Sequence, residues 1–205
     1  MLLNLARWVS RIVNPSALPI LVFGLVAFRS SANTAEALRW LLWTLVFVAL
    51  IPGAYMLGRV AWHGRCTGEY MWVRALFRRR REEGLILSAI SGVPGLILLL
   101  SLGAPRAIIV VLVALTATNL FVYLLNHFYR ASFHLASISS IVTVVSIVFG
   151  LVAVPSVLLI PLLGWARYWL REHTPGQMAA GLAVGGATTL LTFYLFGLLA
   201  PLVTG

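Results

Sequence analysis

Hydrophobic and polar positions fall along this chain in long blocks. Residues 1–13 are the exception: Leu2, Leu3, Leu5, Trp8 and Ile12 interleave with Asn4, Arg7 and Arg11. The polar ones recur at helical spacing, which predicts a helix lying in a membrane interface. Asn14-Pro15 ends it. Residues 16–28 form a short apolar run closed by Arg29. It has the length of a signal-peptide core, but no clear cleavage site follows and more spans come after, so it reads as a first span extended by its flanks.

Asn33 with Glu36 three residues on is a capping signature, and the second span is expected at about 37–62. Pro52-Gly53 predicts a kink within it. A polar segment, 63–84, carries Arg65, Arg74 and the run Arg78-Arg79-Arg80-Arg81. Further spans are expected at about 85–103, 107–128, 134–153, 155–169 and 178–203, with a tight turn at Ala104-Pro105-Arg106. Gly181, Gly185 and Gly186 form a small-residue packing face on the last one. The pattern predicts an all-α, polytopic transmembrane helix bundle of six or seven spans with an N-terminal interfacial helix. Residues 1–205 make one integral membrane domain.

Composition supports this. The chain is 61% hydrophobic and 10% charged, where soluble domains run nearer half and a quarter. Its 15 basic residues are all Arg, and its five acids are all Glu. Arginine suits phosphate, because its planar fork donates two parallel hydrogen bonds; a genomic bias toward Arg codons is the plainer explanation. The single cysteine, Cys66, excludes an internal disulfide and any multi-Cys metal site. Only Glu82 and Glu83 cluster, beside four arginines, so no metal site, no cofactor and no nucleic-acid partner is expected.

Two polar knots carry the candidate chemistry: residues 126–134 and 165–177. Ionisable groups are costly in a bilayer and usually mark a pathway or a site. Two apolar segments separate the knots, so both are expected on one face, together with 63–84. That face holds Arg7, Arg11, Arg59, Arg65, Arg74, Arg78–Arg81, Arg130, Arg167 and Arg171, against Arg29, Arg39 and Arg106 on the other. The positive-inside rule makes the rich face cytoplasmic. The expected location is therefore a prokaryotic cell membrane, crossed several times.

These residues resemble a family, the type 2 phosphatidate phosphatases. Arg167, five residues, His173, three residues, Gln177 is similar to its third signature, Ser-Arg-x5-His-x3-Asp. Ala131-Ser132-Phe133-His134 is similar to its second, Pro-Ser-Gly-His. Arg74 and Arg81 have the spacing of its first, Lys-x6-Arg-Pro. The chain departs from the pattern at Phe133, Ala166, Glu82 and Gln177, and the resemblance covers the layout of about residues 60–185. It implies His173 as nucleophile, His134 as general acid, Gln177 in the place of the orienting Asp, and Arg167, Ser132, Arg130 and Arg74 or Arg81 as phosphate ligands. The implied activity is metal-independent hydrolysis of a lipid phosphomonoester or diphosphate, of isoprenoid or phosphatidate type, through a phosphohistidine. The implied partners are that lipid substrate and anionic lipid head groups.

Each residue also has a plainer role. Arg167 can snorkel to lipid phosphates. His173 and Arg171 can sit at the head groups. Ser132 can cap the helix after it. His127 reads as a packing residue, Arg78–Arg81 as topology and anionic-lipid residues, and Tyr129, Tyr168, Trp165 and Trp169 as an interfacial belt. Thr174-Pro175-Gly176-Gln177 reads as a capping box, so Gln177 either caps a helix or orients His173. The alternative function is a catalytically weak relative that binds or moves phospholipid or serves a larger complex. A small-solute transporter fits poorly, since no inverted repeat is evident and the polar groups gather at one face.

Overall fold

The structure is a computed structural model that describes residues 2–13, 17–67 and 81–199; for residues 63, 64, 66, 67, 81, 82, 84 and 85 it describes the backbone alone. Every regular element among the described residues is helical. In chain order these are α1 (Leu2–Ile12), α2 (Leu18–Ser30), α3 (Thr34–Leu45), α4 (Ile51–Thr67), α5 (Arg81–Ser101), α6 (Arg106–Asn126), α7 (Phe133–Phe149), α8 (Leu159–Trp169) and α9 (Pro175–Leu195). Four stretches are long and apolar enough to cross a membrane: Thr34–Trp62, Arg106–Asn126, Phe133–Trp169 and Pro175–Leu195. Leu18–Ser30 and Ile86–Ser101 are shorter apolar helices. This is a multi-pass membrane protein.

Local chemistry explains the boundaries. Asn33 caps α3: its Oδ1 accepts from the Glu36 N–H at 2.9 Å, and Glu36 accepts from the Ala32 N–H at 3.0 Å. Just before the Pro52-Gly53 pair the helix has one π-helical turn, Val46–Leu50, joining α3 to α4. Pro52 offers no N–H to the Val48 carbonyl and its ring crowds that carbonyl, so the ladder widens just before it. Phe47 of this turn lies over Gly95 of α5, where an added Cβ would sit 2.8 Å from the ring.

The fifth span ends sooner than expected. Helix α7 stops at Phe149, because Gly150 adopts φ +61°. A 3-10 segment, Gly150–Leu158, carries the chain round, with Pro155 inside it. Only then does α8 begin, four residues later than the expected start at 155. Leu163 of α8 packs with Leu135 and Ile138 near the start of α7, so the two helices are antiparallel. Val9 and Val13 join the same cluster, which seats α1 against α8. Helix α1 is thus three-sided: Ala6 is buried, Leu5, Trp8 and Ile12 are exposed, and Asn4, Arg7 and Arg11 form the polar edge.

The larger core centres on α6, whose Ile108, Val110, Val111, Leu112 and Ala114 are buried among α2, α3 and α7. Polar pairs tie the bundle: Asn119 Nδ2 donates to Ser88 Oγ at 2.9 Å, and Ser140 and Thr189 share a hydrogen bond of 2.6 Å. The closest approach is between α7 and α9. A Cβ on Gly181 would strike the Ser132 carbonyl, and one on Gly185 the Ala136 carbonyl. Small residues allow such backbone contact where lipid supplies no hydrophobic drive between helices. Gly185→Ala is therefore expected to lower the melting temperature strongly, by an overpacking penalty of about 1–3 kcal/mol. Gly164→Ala, in α8 with no atom near the added Cβ, is expected to leave it unchanged or raise it. Thermal unfolding of both variants in detergent checks the pair.

Candidate functional site

The close packing of α7 on α9 brings the two polar knots together. The Ser132 N–H donates to the Gln177 carbonyl at 3.0 Å, linking the start of α7 to the start of α9. Helix α8 ends at Trp169, six residues before α9 begins, so its C-terminus lies at the same end. A shallow cavity of about 470 Å³ opens there, lined by Tyr168, Trp169, Arg171, Glu172, His173, Thr174, Pro175 and Gln177. Of the candidate catalytic and phosphate-binding residues, His173 and Gln177 line it. Ser132, His134, Arg130 and Arg167 do not.

Gln177 makes the contacts of both alternatives that the sequence left open. Thr174 is the N-cap of α9, its Oγ1 accepting from the Gln177 N–H at 3.3 Å, and Pro175 occupies the first turn. Gln177 Oε1 in turn accepts from the Thr174 N–H at 3.2 Å. The same oxygen is 3.2 Å from His173 Nδ1. A backbone N–H can only donate, so the atom facing both partners is the amide oxygen. His173 Nδ1 then carries a proton, and whenever the ring is neutral its basic nitrogen is Nε2.

Arg167 lies deeper. It is 2% exposed, its guanidinium donating to Ser10 of α1 at 3.2 Å and paired with the Glu172 carboxylate. A buried arginine needs such partners, because an uncompensated charge there is costly. The second knot is held by Asn126, whose Oδ1 accepts from the Ala131 N–H at 2.9 Å. Ser132 sits at the N-cap of α7, but its side chain makes no capping bond, unlike the sequence expectation. Its hydroxyl is fully buried and has no hydrogen-bond partner among the described residues, an uncommon condition for a buried polar group. His134, the second residue of α7, is half-buried with its ring edge-on to Phe133. Arg130 is exposed. His127 packs as expected, edge-on to Tyr123 at 4.7 Å with Nδ1 against the Tyr123 carbonyl. Arg74 and Arg78–Arg80 lie outside the described residues, as does the Arg81 side chain.

Sequence reasoning passed over two residues here. Glu172 has no assigned role in the sequence, yet it is the ion-pair partner of Arg167. Arg171 reads as a head-group residue, yet it adopts left-handed backbone at φ +52° and lines the cavity. Neither has a spacing signal that distinguishes it from surface charge. Removing the Gln177 side chain tests the geometry directly. Gln177→Ala is expected to lose about 0.5–2 kcal/mol of stability as a broken cap and to shift His173 toward a mixture of tautomers, read by nitrogen-15 NMR of the ring. A melting curve and ring spectrum identical to the parent would contradict the arrangement.

No family model, no curated protein and no solved structure matches this chain.

Proposed function

We propose that this protein is a lipid phosphatase that needs no metal and works through a phosphohistidine. The observation that carries the reading is the hold on His173. It is fixed through Nδ1 by Gln177, which sits in the first turn of α9, at the mouth of a cavity with arginine in its wall. Helix starts favour anions, since their N–H groups are unpaired and the dipole is positive there. A neutral imidazole with its proton fixed on Nδ1 offers Nε2 as a nucleophile at neutral pH.

In the proposed reaction the Nε2 lone pair attacks phosphorus and the bond from phosphorus to the lipid oxygen breaks. His134, protonated, gives its proton to that leaving oxygen. Water then attacks phosphorus and passes a proton to His134, while the bond from phosphorus to Nε2 breaks and returns its electron pair to the ring, freeing phosphate and neutral His173. The resemblance assigns the charge on the phosphoryl oxygens to Arg167, the Ser132 hydroxyl and Arg130, none of which lines the cavity, and Arg167 would have to exchange Glu172 for the substrate. Positioned cations and dipoles of this kind are the main source of rate in phosphoryl transfer. Arg74 or Arg81 is a further phosphate ligand in this reading. The substrate is a phosphomonoester or diphosphate on an isoprenoid or diacyl tail, reached from the membrane along the exposed Tyr168 and Trp169.

The test is phosphate release by purified protein in EDTA from a panel of lipid phosphates. His173→Ala is expected to abolish release, and His134→Ala to lower it about 10²–10⁴-fold. Gln177→Ala is expected to lower turnover per folded molecule, and Gln177→Glu to retain or raise it. A second reading is binding of phospholipid without turnover. It is favoured by the uncharged Gln177 and by the ion pair already on Arg167. Lipid phosphate binding with no release would establish it.

We further propose seven crossings, with α2, the joined α3–α4 helix and α5 to α9 each traversing once. The site end, which carries Arg7, Arg11, Arg59, Arg65, Arg130, Arg167 and Arg171, then faces the cytoplasm. Cys66 is the only cysteine and belongs to that end. An impermeant maleimide is expected to label it only after intact cells are permeabilised; labelling from outside would invert the orientation.

A further inference from the structure

Helix α8 ends in a turn usually made by glycine. Leu170 is its C-cap. The Arg171 N–H donates to the Tyr168 carbonyl at 3.0 Å, and the Glu172 N–H to the Arg167 carbonyl at 3.3 Å. This pair of bonds is the Schellman motif, in which the residue after the cap takes left-handed backbone. Glycine does so freely, whereas a side chain crowds the following carbonyl. The chain uses glycine wherever else it adopts positive φ among the described residues, at Gly103, Gly150 and Gly197. Arg171 is the exception, at φ +52°.

The position of the exception is informative. Arg171 is exposed and lines the cavity beside His173. Arg167 is buried and already engaged by Ser10 and Glu172. An anionic head group entering from the membrane surface therefore reaches Arg171 first. Strain of this kind persists where a function needs the side chain, and its relief typically trades stability against activity.

We propose that Arg171 is a head-group-binding residue, its guanidinium contacting the phosphate of the lipid in the cavity. The proposal rests on the phosphatase reading above and adds a cation that the resemblance does not supply. Glycine would relax the turn but remove this contact. Arginine keeps the contact at the expense of the turn.

The experiment compares Arg171→Gly, Arg171→Gln and Arg171→Lys with the parent in detergent micelles. Three quantities are read: melting temperature, KM for a single-chain alkyl monophosphate, and inhibition by orthovanadate as a phosphate mimic. Arg171→Gly is expected to melt roughly 2–4 °C higher, while KM and the vanadate inhibition constant rise about tenfold. Arg171→Gln, which keeps the strain, is expected to melt like the parent with the same loss of affinity. Arg171→Lys is expected to recover most of the affinity. Unchanged KM and vanadate inhibition in Arg171→Gly and Arg171→Gln would overturn the proposal, as would a lower melting temperature in Arg171→Gly. Its failure is separable from that of the phosphatase reading. If the parent releases no phosphate, vanadate binding by calorimetry still compares parent and variants: weaker binding in Arg171→Gly supports the contact, and equal or absent binding overturns it.

Discussion

The backbone of α7 touches the backbone of α9, and the site depends on that contact. Gly181 and Gly185 face the carbonyls of Ser132 and Ala136 with no room for a Cβ. In a bilayer, helices gain little by hiding apolar surface from one another, so close van der Waals contact and hydrogen bonds decide which pairs associate. Glycine permits both here. Ser139 Oγ donates to the Leu182 carbonyl at 2.9 Å, and Thr189 Oγ1 donates to the Gly185 carbonyl at 2.8 Å while sharing a hydrogen bond with Ser140. The contact continues to the end of both helices, where the Ser132 N–H meets the Gln177 carbonyl. A larger residue at Gly185 would lever the helices apart and separate the two polar knots.

Three helix ends meet at this point, and each is closed by different chemistry. The start of α9 is closed by a reciprocal capping box. The end of α8 is closed by a Schellman turn with an arginine in the strained place. The start of α7 is closed from outside, by the neighbouring helix rather than by its own serine. Unpaired backbone groups at helix ends are costly near lipid, so each closure stabilises the fold as well as shaping the cavity. Helix α1 enters the same arrangement through Ser10 and Arg167. Its outer face carries Trp8 and Ile12, with Arg11 over the Trp8 ring at 5.7 Å. The N-terminal helix is therefore tied by a hydrogen bond to the most deeply buried cation of the knot.

Much of this was legible in the sequence where one residue's local chemistry decides the outcome. Asn33 with Glu36, Thr174 with Gln177, and the Pro52 distortion all came from rules that span a single turn. The helices themselves followed from apolar runs. The break between the fifth and sixth spans was expected near 154, but its start at Gly150 and its nine-residue length were not, because residues 141–163 are apolar almost without interruption. Long-range pairings were also hidden. Ser10 and Arg167 come from opposite ends of the chain, and the Ser132 amide finds Gln177 only because Gly181 and Gly185 let two backbones meet. The left-handed Arg171 had no signal, since turn rules look for glycine there.

Gln177 shows how one side chain can meet two local demands and change the chemistry by doing so. An amide oxygen has two acceptor sites, and both are used: one by the Thr174 N–H, one by His173 Nδ1. The capping role needs a side chain that reaches back three residues, which glutamine and glutamate do. The aspartate of the resembling family is one methylene shorter, so it is less suited to closing this cap. Between the two longer residues, glutamine fixes the same tautomer but would bring no charge to the imidazolium that the proposed reaction forms on His173. In a serine-protease triad the exchange of carboxylate for amide costs about 10⁴ in rate, largely because the wrong tautomer is favoured. Here the Thr174 N–H selects the amide oxygen, so the tautomer penalty is removed and only the missing charge remains. In the proposed reaction that shortfall falls to the N-terminus of α9 and to the arginines. It gives the cavity a physical reason to keep a strained Arg171 where a glycine would fold more easily.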